Sequence, residues 1–162
     1  MSAATKGHSV QHGTFKIERE LPHPPERVFA AWADPKAKGK WFAGPPGQWT
    51  QLEREMDFRV GGRERLKGKF NRGTVSDFNA LYHDIVPRER IVYSYSMHVD
   101  EKKISVSLAT IVLEPAKVGG KAGTRLLLTE QGAFLDGYDD AGSREQGTKF
   151  LIEAMAKSLE TE

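Results

Sequence analysis

Cysteine is absent from the 162 residues of this chain. The absence excludes disulfides, thiolate metal ligands and cysteine nucleophiles. Long apolar runs are also absent, because no segment approaches the roughly 20 residues that a membrane-spanning helix needs. The polar residues 1–12 lack the apolar segment of a secretory signal. We therefore expect a cytoplasmic protein that has no membrane span.

Charge of one sign is the third feature that the sequence lacks. The chain has 24 Lys and Arg residues against 22 Asp and Glu residues, and the two signs are interleaved along it. Nucleic-acid binding needs basic residues clustered on one face, so we expect no nucleic-acid partner. The length fits a single domain, which we place at residues 14–162, after a disordered tail at residues 1–13. The sequence leaves the oligomeric state open.

Groupings of residues that carry chemistry are few. The five histidines show no metal-ligand spacing, and the pair His8 and His12 falls in the predicted tail. No Ser–His–Asp set and no phosphate-binding loop can be identified. The sequence therefore predicts no metal, no cofactor and no catalytic residue of these types.

A pair of short helices is indicated near the start of the chain. Pro24 and Pro25 fit a helix entry, because a proline in the first turn loses no intrahelical hydrogen bond. Residues 28–33 carry an apolar stripe. Pro35 disfavours helical geometry at the residue before it, which ends the first helix. Residues 36–42 can form a further helical turn.

Alternation of apolar and polar residues predicts strands through most of the remaining chain. The predicted strands are residues 14–21, 49–55, 58–70, 75–86, 91–99, 104–109 and 124–131. In the strand at 104–109, we expect Val106 and Leu108 to face inward and Ser105 and Ser107 to face outward.

A long helix is predicted at the end of the chain, over about residues 143–159. Ser143 with Gln146 three residues later has the form of a capping box. The expected apolar face consists of Phe150, Leu151, Ala154, Met155, Ser158 and Leu159.

This order of elements predicts the α+β class. We expect a curved antiparallel sheet of about six or seven strands wrapped on the long C-terminal helix, with two short helices after the first strand. This arrangement is a helix-grip fold. It leaves an interior space between the sheet and the long helix.

Several motifs, taken in order, resemble the START-like (SRPBCC) superfamily, and within it the branch of the activators of the heat-shock chaperone ATPase. They are Val28-Phe29 with Trp32, Asp34-Pro35, Trp41-Phe42 with Gly44-Pro45, and the segments 57–63, 87–93 and 123–126. The resemblance covers residues 15–159 and implies a helix-grip fold with a cavity. It does not identify the occupant of that cavity. Glu64 departs from the branch, which usually has an aromatic or apolar residue at that position.

Aromatic and sulfur-containing residues are the candidates to line the cavity, although each also fits an ordinary core. They are Trp41, Phe42, Trp49, Phe58, Tyr82, Tyr93, Tyr95, Met97, Phe134, Phe150 and Met155. Gly147 has no side chain on the first turn of the long helix. We expect open space beside it, bounded by Trp41, Phe42, Phe58 and Phe134.

Glu64 and Glu130 are the candidate charged groups of the cavity. The resemblance implies an inward position for Glu64, and strand alternation with Leu126 and Leu128 points Glu130 inward. Such a carboxylate has a raised pKa in an apolar cavity and can act as an acid or base. Alternatively, each carboxylate pairs with a basic residue or lies in water at the cavity mouth.

Three classes of function remain open. The first is a protein that binds a small apolar or aromatic molecule as a carrier, sensor or sequestering protein. The second is an enzyme that uses Glu64 or Glu130 in the same cavity. The third is a chaperone-interaction module. The eukaryotic activators use an additional N-terminal domain for stimulation, and we expect the few residues before Phe15 not to supply it. We favour the binding protein.

Overall fold

The computed structural model of the chain describes residues 7–160. Its elements, in chain order, are β1 (Val10–Leu21), α1 (Pro25–Ala33), α2 (Pro35–Gly39), β2 (Trp49–Met56), β3 (Arg63–Phe70), β4 (Val75–Val86), β5 (Arg90–Val99), β6 (Lys102–Val118), β7 (Lys121–Leu135) and α3 (Ala141–Glu160). The predicted order of strand, two short helices, further strands and a long helix is confirmed.

All seven strands form one antiparallel sheet with the order β1-β7-β6-β5-β4-β3-β2. Short turns join consecutive strands from β2 to β7. Strand β1 forms one edge of the sheet and pairs with β7. Helix α3 covers the inner face. Ile152 and Met155 of α3 pack into the same buried cluster as Ile111 and Leu126 of the sheet. The α+β class and the helix-grip fold are therefore confirmed.

Strand β1 begins at Val10, four residues before the predicted start at Thr14. Residues Val10 to Gly13 pair with β7, from Leu135 to Gly132. The predicted disordered tail over residues 1–13 is thus wrong for this part, because backbone pairing orders it. Residues 1–6 of the predicted tail lie outside the described residues.

The two faces of β6 are reversed relative to our expectation. Ser105 and Ser107 are buried, whereas Val106 and Leu108 are 42% and 38% exposed. A register shift between β5 and β6, at Met97/His98, lies close to this segment. The Ser105 hydroxyl accepts a hydrogen bond from Arg144 of α3 at 2.7 Å, whereas the buried Ser107 hydroxyl has no hydrogen-bond partner among the described residues.

Helix α3 begins at Ala141, and its cap is Asp140. The Asp140 carboxylate accepts a hydrogen bond from the Ser143 backbone N–H at 2.8 Å. The predicted capping box of Ser143 and Gln146 is therefore wrong, because the helix starts before Ser143.

The buried face of α3 consists of Ile152, Met155, Ala156 and Leu159, with Leu151 and Ala154 partly buried. Phe150 was expected on this face but is 59% exposed. The helix is rotated so that Ile152 takes the central inward position. Since residues 150 and 152 differ by about 200° around a helix, they cannot share one face.

This rotation can be tested with two alanine substitutions. We expect Ile152→Ala to lower the free energy of unfolding by about 2–5 kcal/mol, because it leaves a cavity in the core. We expect Phe150→Ala to change it by no more than about 0.5 kcal/mol, as an exposed substitution does. Urea unfolding of the two variants measures both quantities. A larger loss for Phe150→Ala than for Ile152→Ala would contradict the placement of α3.

Candidate ligand-binding cavity

Helix α2 and the segment that follows it bring three side chains to one end of the inner face of the sheet. The Asp34 carboxylate caps the helix by accepting a hydrogen bond from the Lys36 backbone N–H at 3.2 Å. Lys38, Trp41 and Phe42 follow at helical spacings of three and four. The Trp41 indole N–H donates to the Ala31 carbonyl oxygen at 2.9 Å, which fixes the segment after α2 against α1.

An open cavity of about 290 Å³ lies between the inner face of the sheet, the segment after α2, and α3. Its lining is predominantly apolar. The lining residues are Trp32, Lys38, Trp41, Phe42, Ala43, Gly44, Trp49, Leu66, Phe70, Ser76, Phe78, Tyr93, Tyr95, Met97, Leu128, Glu130, Arg144, Gly147, Thr148, Leu151 and Ile152.

The structure brings seven of the thirteen residues that we expected in the cavity to its wall. They are Trp41, Phe42, Trp49, Tyr93, Tyr95, Met97 and Glu130. Gly147 also lies at the wall, and a Cβ atom built on it meets no atom within 4 Å. The expected open space beside Gly147 is therefore present, with Trp41 and Phe42 also in the lining of this cavity.

The other six expected residues do not line the cavity. Phe58 and Tyr82 pack edge-to-face against each other at 5.0 Å, and Met155 is fully buried in the core. The Phe134 ring lies under the Arg144 guanidinium at 5.3 Å. Phe150 points away on the exposed side of α3.

Glu64, the sixth of them, is buried behind the wall in an ion pair with Lys38. The Lys38 Nζ atom lies 2.7 Å from Glu64 Oε1, and both side chains are 3% exposed. The Tyr82 hydroxyl donates a hydrogen bond to the same carboxylate oxygen. The inward direction expected for Glu64 is confirmed, and its surroundings match the alternative in which the carboxylate pairs with a basic residue.

Three aromatic rings lie near the Lys38 ammonium. The Nζ atom lies 4.7 Å from the ring centre of Phe42, 5.6 Å from that of Trp32 and 5.8 Å from that of Tyr93. Burial lowers the pKa of Lys38, although the neighbouring Glu64 carboxylate opposes this effect. The positive Arg54 guanidinium also disfavours the charged amine.

A second charged network lies where α3 starts. Arg144 donates hydrogen bonds to the Tyr95 hydroxyl at 2.8 Å, to Ser105 Oγ at 2.7 Å and to Asp139 Oδ2 at 3.0 Å. The Tyr95 hydroxyl donates to Glu130 Oε2 at 2.7 Å, and Arg144 Nη1 lies 3.5 Å from the same oxygen. Glu130 is therefore inward and paired.

The Tyr93 hydroxyl differs from its two tyrosine neighbours. Tyr82 and Tyr95 donate to carboxylates, whereas no hydrogen-bond partner for the Tyr93 hydroxyl exists in the part of the chain that the structure describes. Burial raises the pKa of Tyr93 well above its usual value. The Tyr93 phenol is thus a neutral hydrogen-bond donor at the cavity wall.

Trp49 forms part of the outer wall because two glycines make room for its ring. A Cβ atom at Gly44 would lie 2.2 Å from the Trp49 side chain, and one at Gly68 would lie 2.0 Å from it. The indole is therefore held between the segment after α2 and strand β3.

Lys38 and Arg144 are the charged wall residues that we did not predict. For Lys38, the signal was its position three and four residues before Trp41 and Phe42. For Arg144, the signal was its position three residues before Gly147 and seven before Leu151, which places all three on one stripe of a helix.

A second depression, of about 540 Å³, lies on the outer face of the sheet. Its lining includes Lys67, Asp77, Asp100 and Glu101. Asp77 is paired with Arg65 at 2.9 Å. Polar, solvated walls of this kind give an apolar ligand little to bind, so the inner cavity is the candidate site.

Within residues 7–160, no group of three or more acidic or histidine side chains could hold a metal ion. No helix in this part of the chain is long and apolar enough to cross a membrane.

Comparison with known proteins adds a family match. The family model described as activator of Hsp90 ATPase homolog 1-like protein matches residues 22–161. No match was found among the curated proteins.

Several solved structures are similar to this chain. An uncharacterized protein from Rhizobium leguminosarum is 43% identical, with 96% of this chain and 99% of the other chain covered and a TM-score of 0.87. A protein from Rhizobium loti is 45% identical, with 93% and 99% covered and a TM-score of 0.83. An AHSA1-like protein from Aeromonas hydrophila is 17% identical, with 92% and 93% covered and a TM-score of 0.64. That last likeness shows the fold alone.

The Lys38–Glu64 pair gives a prediction about stability. Glu64→Leu leaves a buried amine unpaired, so we expect it to lower the free energy of unfolding by about 3–5 kcal/mol. The double variant Lys38→Met/Glu64→Leu has no unpaired charge and should recover a large part of that loss. Urea unfolding measures both. A double variant as unstable as Glu64→Leu would mean that the unpaired amine is not the cause.

The buried tyrosines give a prediction about alkaline pH. Burial raises the pKa of Tyr82, Tyr93 and Tyr95 in the folded chain, whereas in the unfolded chain each pKa is about 10. The unfolded chain therefore loses these protons first as the pH rises. The contribution of the protonated tyrosines to the free energy of unfolding is therefore complete below a pH of about 10 and is lost progressively above it.

Ultraviolet absorbance of phenolate, recorded with far-ultraviolet circular dichroism, tests this expectation. Three of the four tyrosines should ionise together with the loss of secondary structure. Ionisation of all four tyrosines in a chain that stays folded would contradict it.

Proposed function

The chain belongs to the family of activator of Hsp90 ATPase homolog 1-like proteins, and on this premise we propose that it binds a small apolar or aromatic molecule in the cavity between the sheet and α3. Membership supports a START-like ligand-binding or chaperone-related domain. The choice between these two rests on the cavity.

The observation that supports binding most directly is the pairing of the charges around the apolar cavity. Lys38 is paired with Glu64, and Arg144 is paired with Glu130 and Asp139. The cavity wall therefore presents aromatic and aliphatic surface, with few polar groups left to orient a ligand. Ligand sites typically combine a mostly apolar lining with a few such groups.

The size of the cavity favours a small ligand. Its volume of about 290 Å³ is at the lower end of the range for ligand pockets, about 300–1,000 Å³. An apolar cavity of about 150 Å³ in another protein binds benzene, so this cavity has room for a substituted aromatic ring. Burial of apolar area, at about 25 cal/mol per Å², supplies the driving force.

The alternative of acid–base catalysis by Glu64 or Glu130 has less support. Each carboxylate accepts a hydrogen bond from a tyrosine and faces a basic side chain. Glu64 also lies behind the wall, where Lys38 separates it from the cavity.

The proposal is tested by blocking the cavity from α3. Gly147 lies on the stripe of Arg144, Thr148 and Leu151 that faces the cavity, and added atoms meet open space there. We expect toluene to shift amide resonances of residues around the cavity in the unchanged protein. Gly147→Trp should abolish these shifts, because the indole occupies the space.

Gly147→Ala is the matched control. Its methyl group should leave most of the cavity open and toluene binding intact, while the helix gains about 1 kcal/mol in propensity. Unchanged toluene binding in Gly147→Trp, or shifts confined to residues outside the cavity, would refute this site.

A further inference from the structure

We propose that Lys38 forms an imine with small aromatic aldehydes that enter the cavity, so that the site takes carbonyl compounds covalently. This inference rests on the proposed binding function and assigns a ligand class to the same site. It rests on the position of the Lys38 amine in the apolar wall and on the neighbouring Glu64 and Tyr93.

The Lys38 amine lies at the wall of an apolar cavity and has few hydrogen-bond partners. An ammonium group has three N–H donors, but Glu64 is the acceptor that Lys38 uses among the described residues. The aromatic rings of Trp32, Phe42 and Tyr93 lie near the amine, and Lys38 is among the residues that line the cavity. Burial shifts the equilibrium of this amine toward its neutral form, and the neutral amine is the form of lysine that attacks carbonyl groups.

Glu64 is placed to take the proton that must leave the amine. Its Oε1 atom lies 2.7 Å from Lys38 Nζ and accepts a hydrogen bond from the Tyr82 hydroxyl. The other groups facing the amine are the Tyr93 phenol and the Arg54 guanidinium, whose positive charge lowers the pKa of Lys38 further. Transfer of one proton from Lys38 to Glu64 leaves the pair neutral.

The reaction balances with these residues alone. The lone pair of the neutral amine forms a bond to the carbonyl carbon, the C=O π pair moves to oxygen, and Glu64 returns its proton to that oxygen. The nitrogen gives one proton to Glu64, which passes it to the hydroxyl group of the carbinolamine. The C–O bond then breaks, water leaves, and a protonated imine stands opposite the Glu64 carboxylate.

Tyr93 is the positioning residue for the carbonyl group. Its hydroxyl has no partner in the described part of the chain, and its ring centre lies 5.8 Å from Lys38 Nζ. Donation of this hydrogen bond to the carbonyl oxygen holds the carbonyl carbon near the amine and polarises it.

The test is reductive trapping of the full chain with benzaldehyde. Sodium cyanoborohydride at neutral pH reduces the imine to a stable benzylamine, and peptide mass spectrometry locates the benzyl group. Lys36 is an internal control, because it lies on the same short helix but is exposed. We expect Lys38 to carry most of the label early in the reaction and Lys36 to carry little.

Two further arms link the label to the cavity. Excess toluene, which has the same ring without the carbonyl group, should suppress labelling of Lys38 and leave that of Lys36 unchanged. Gly147→Trp should do the same. Both measurements keep Lys38 in place, so neither depends on a variant that loses the buried ion pair.

The outcomes separate this inference from the proposed function. If toluene binds in the cavity but Lys38 stays unlabelled, or is labelled no faster than Lys36, the imine is refuted and the binding function stands. If toluene does not bind and Lys38 is unlabelled, both are refuted. Labelling of Lys38 that toluene and Gly147→Trp fail to suppress also overturns the inference, because the aldehyde then reaches the amine by another route.

Discussion

The cavity depends on one buried ion pair, which joins two elements that no backbone hydrogen bond connects. Lys38 on α2 and Glu64 on β3 lie 2.7 Å apart with both side chains almost fully buried. Burial of either charge alone is costly, so each is retained in the interior only while the other is present. Because Trp41 and Phe42 follow Lys38 directly, fixing this residue also fixes the aromatic end of the cavity.

The start of α3 is held by the same kind of interaction at another part of the cavity wall. Arg144 contacts groups on β5, β6 and β7 through Tyr95, Ser105 and Glu130. Both networks use tyrosine hydroxyls to satisfy a buried carboxylate. The charged groups of the wall are thereby paired within the protein, and mostly apolar surface is left facing a space that the protein does not fill. A core packed to the usual density would have little such space.

The features that repeat along the chain were predicted from the sequence. The features that change when the inward-facing positions of an element shift by one residue were missed. Element order, the antiparallel sheet and the inward direction of Glu130 follow from periodic alternation, whereas the inward direction of Glu64 followed from the resemblance to the family. The faces of β6 do not, because one residue of slip in a strand exchanges inside for outside. The rotation of α3 does not either, because one residue of slip turns a helix by about 100°. On β6, the buried run of Ala109, Ile111 and Leu113 fixes the correct face, but only when the strand is read beyond residue 109. The spacing of Lys38 before Trp41 and Phe42 places it on their side of the helix, but its ion pair was not predictable, because the partner Glu64 lies 26 residues away.

If the cavity binds a ligand as proposed, charge pairing around it restricts the charge of that ligand. A second buried charge would have no free counterion, since the Lys38–Glu64 and Arg144–Glu130 pairs are already formed, and an ion without one is strongly disfavoured in an apolar site. A neutral ligand avoids this cost. The Tyr93 phenol is a neutral donor with no partner in the described chain. It can donate a hydrogen bond to an apolar ligand that carries one oxygen acceptor. Under the proposed function we therefore expect a neutral ligand with a single acceptor, and a carbonyl compound would meet that requirement while bringing an electrophilic carbon close to Lys38.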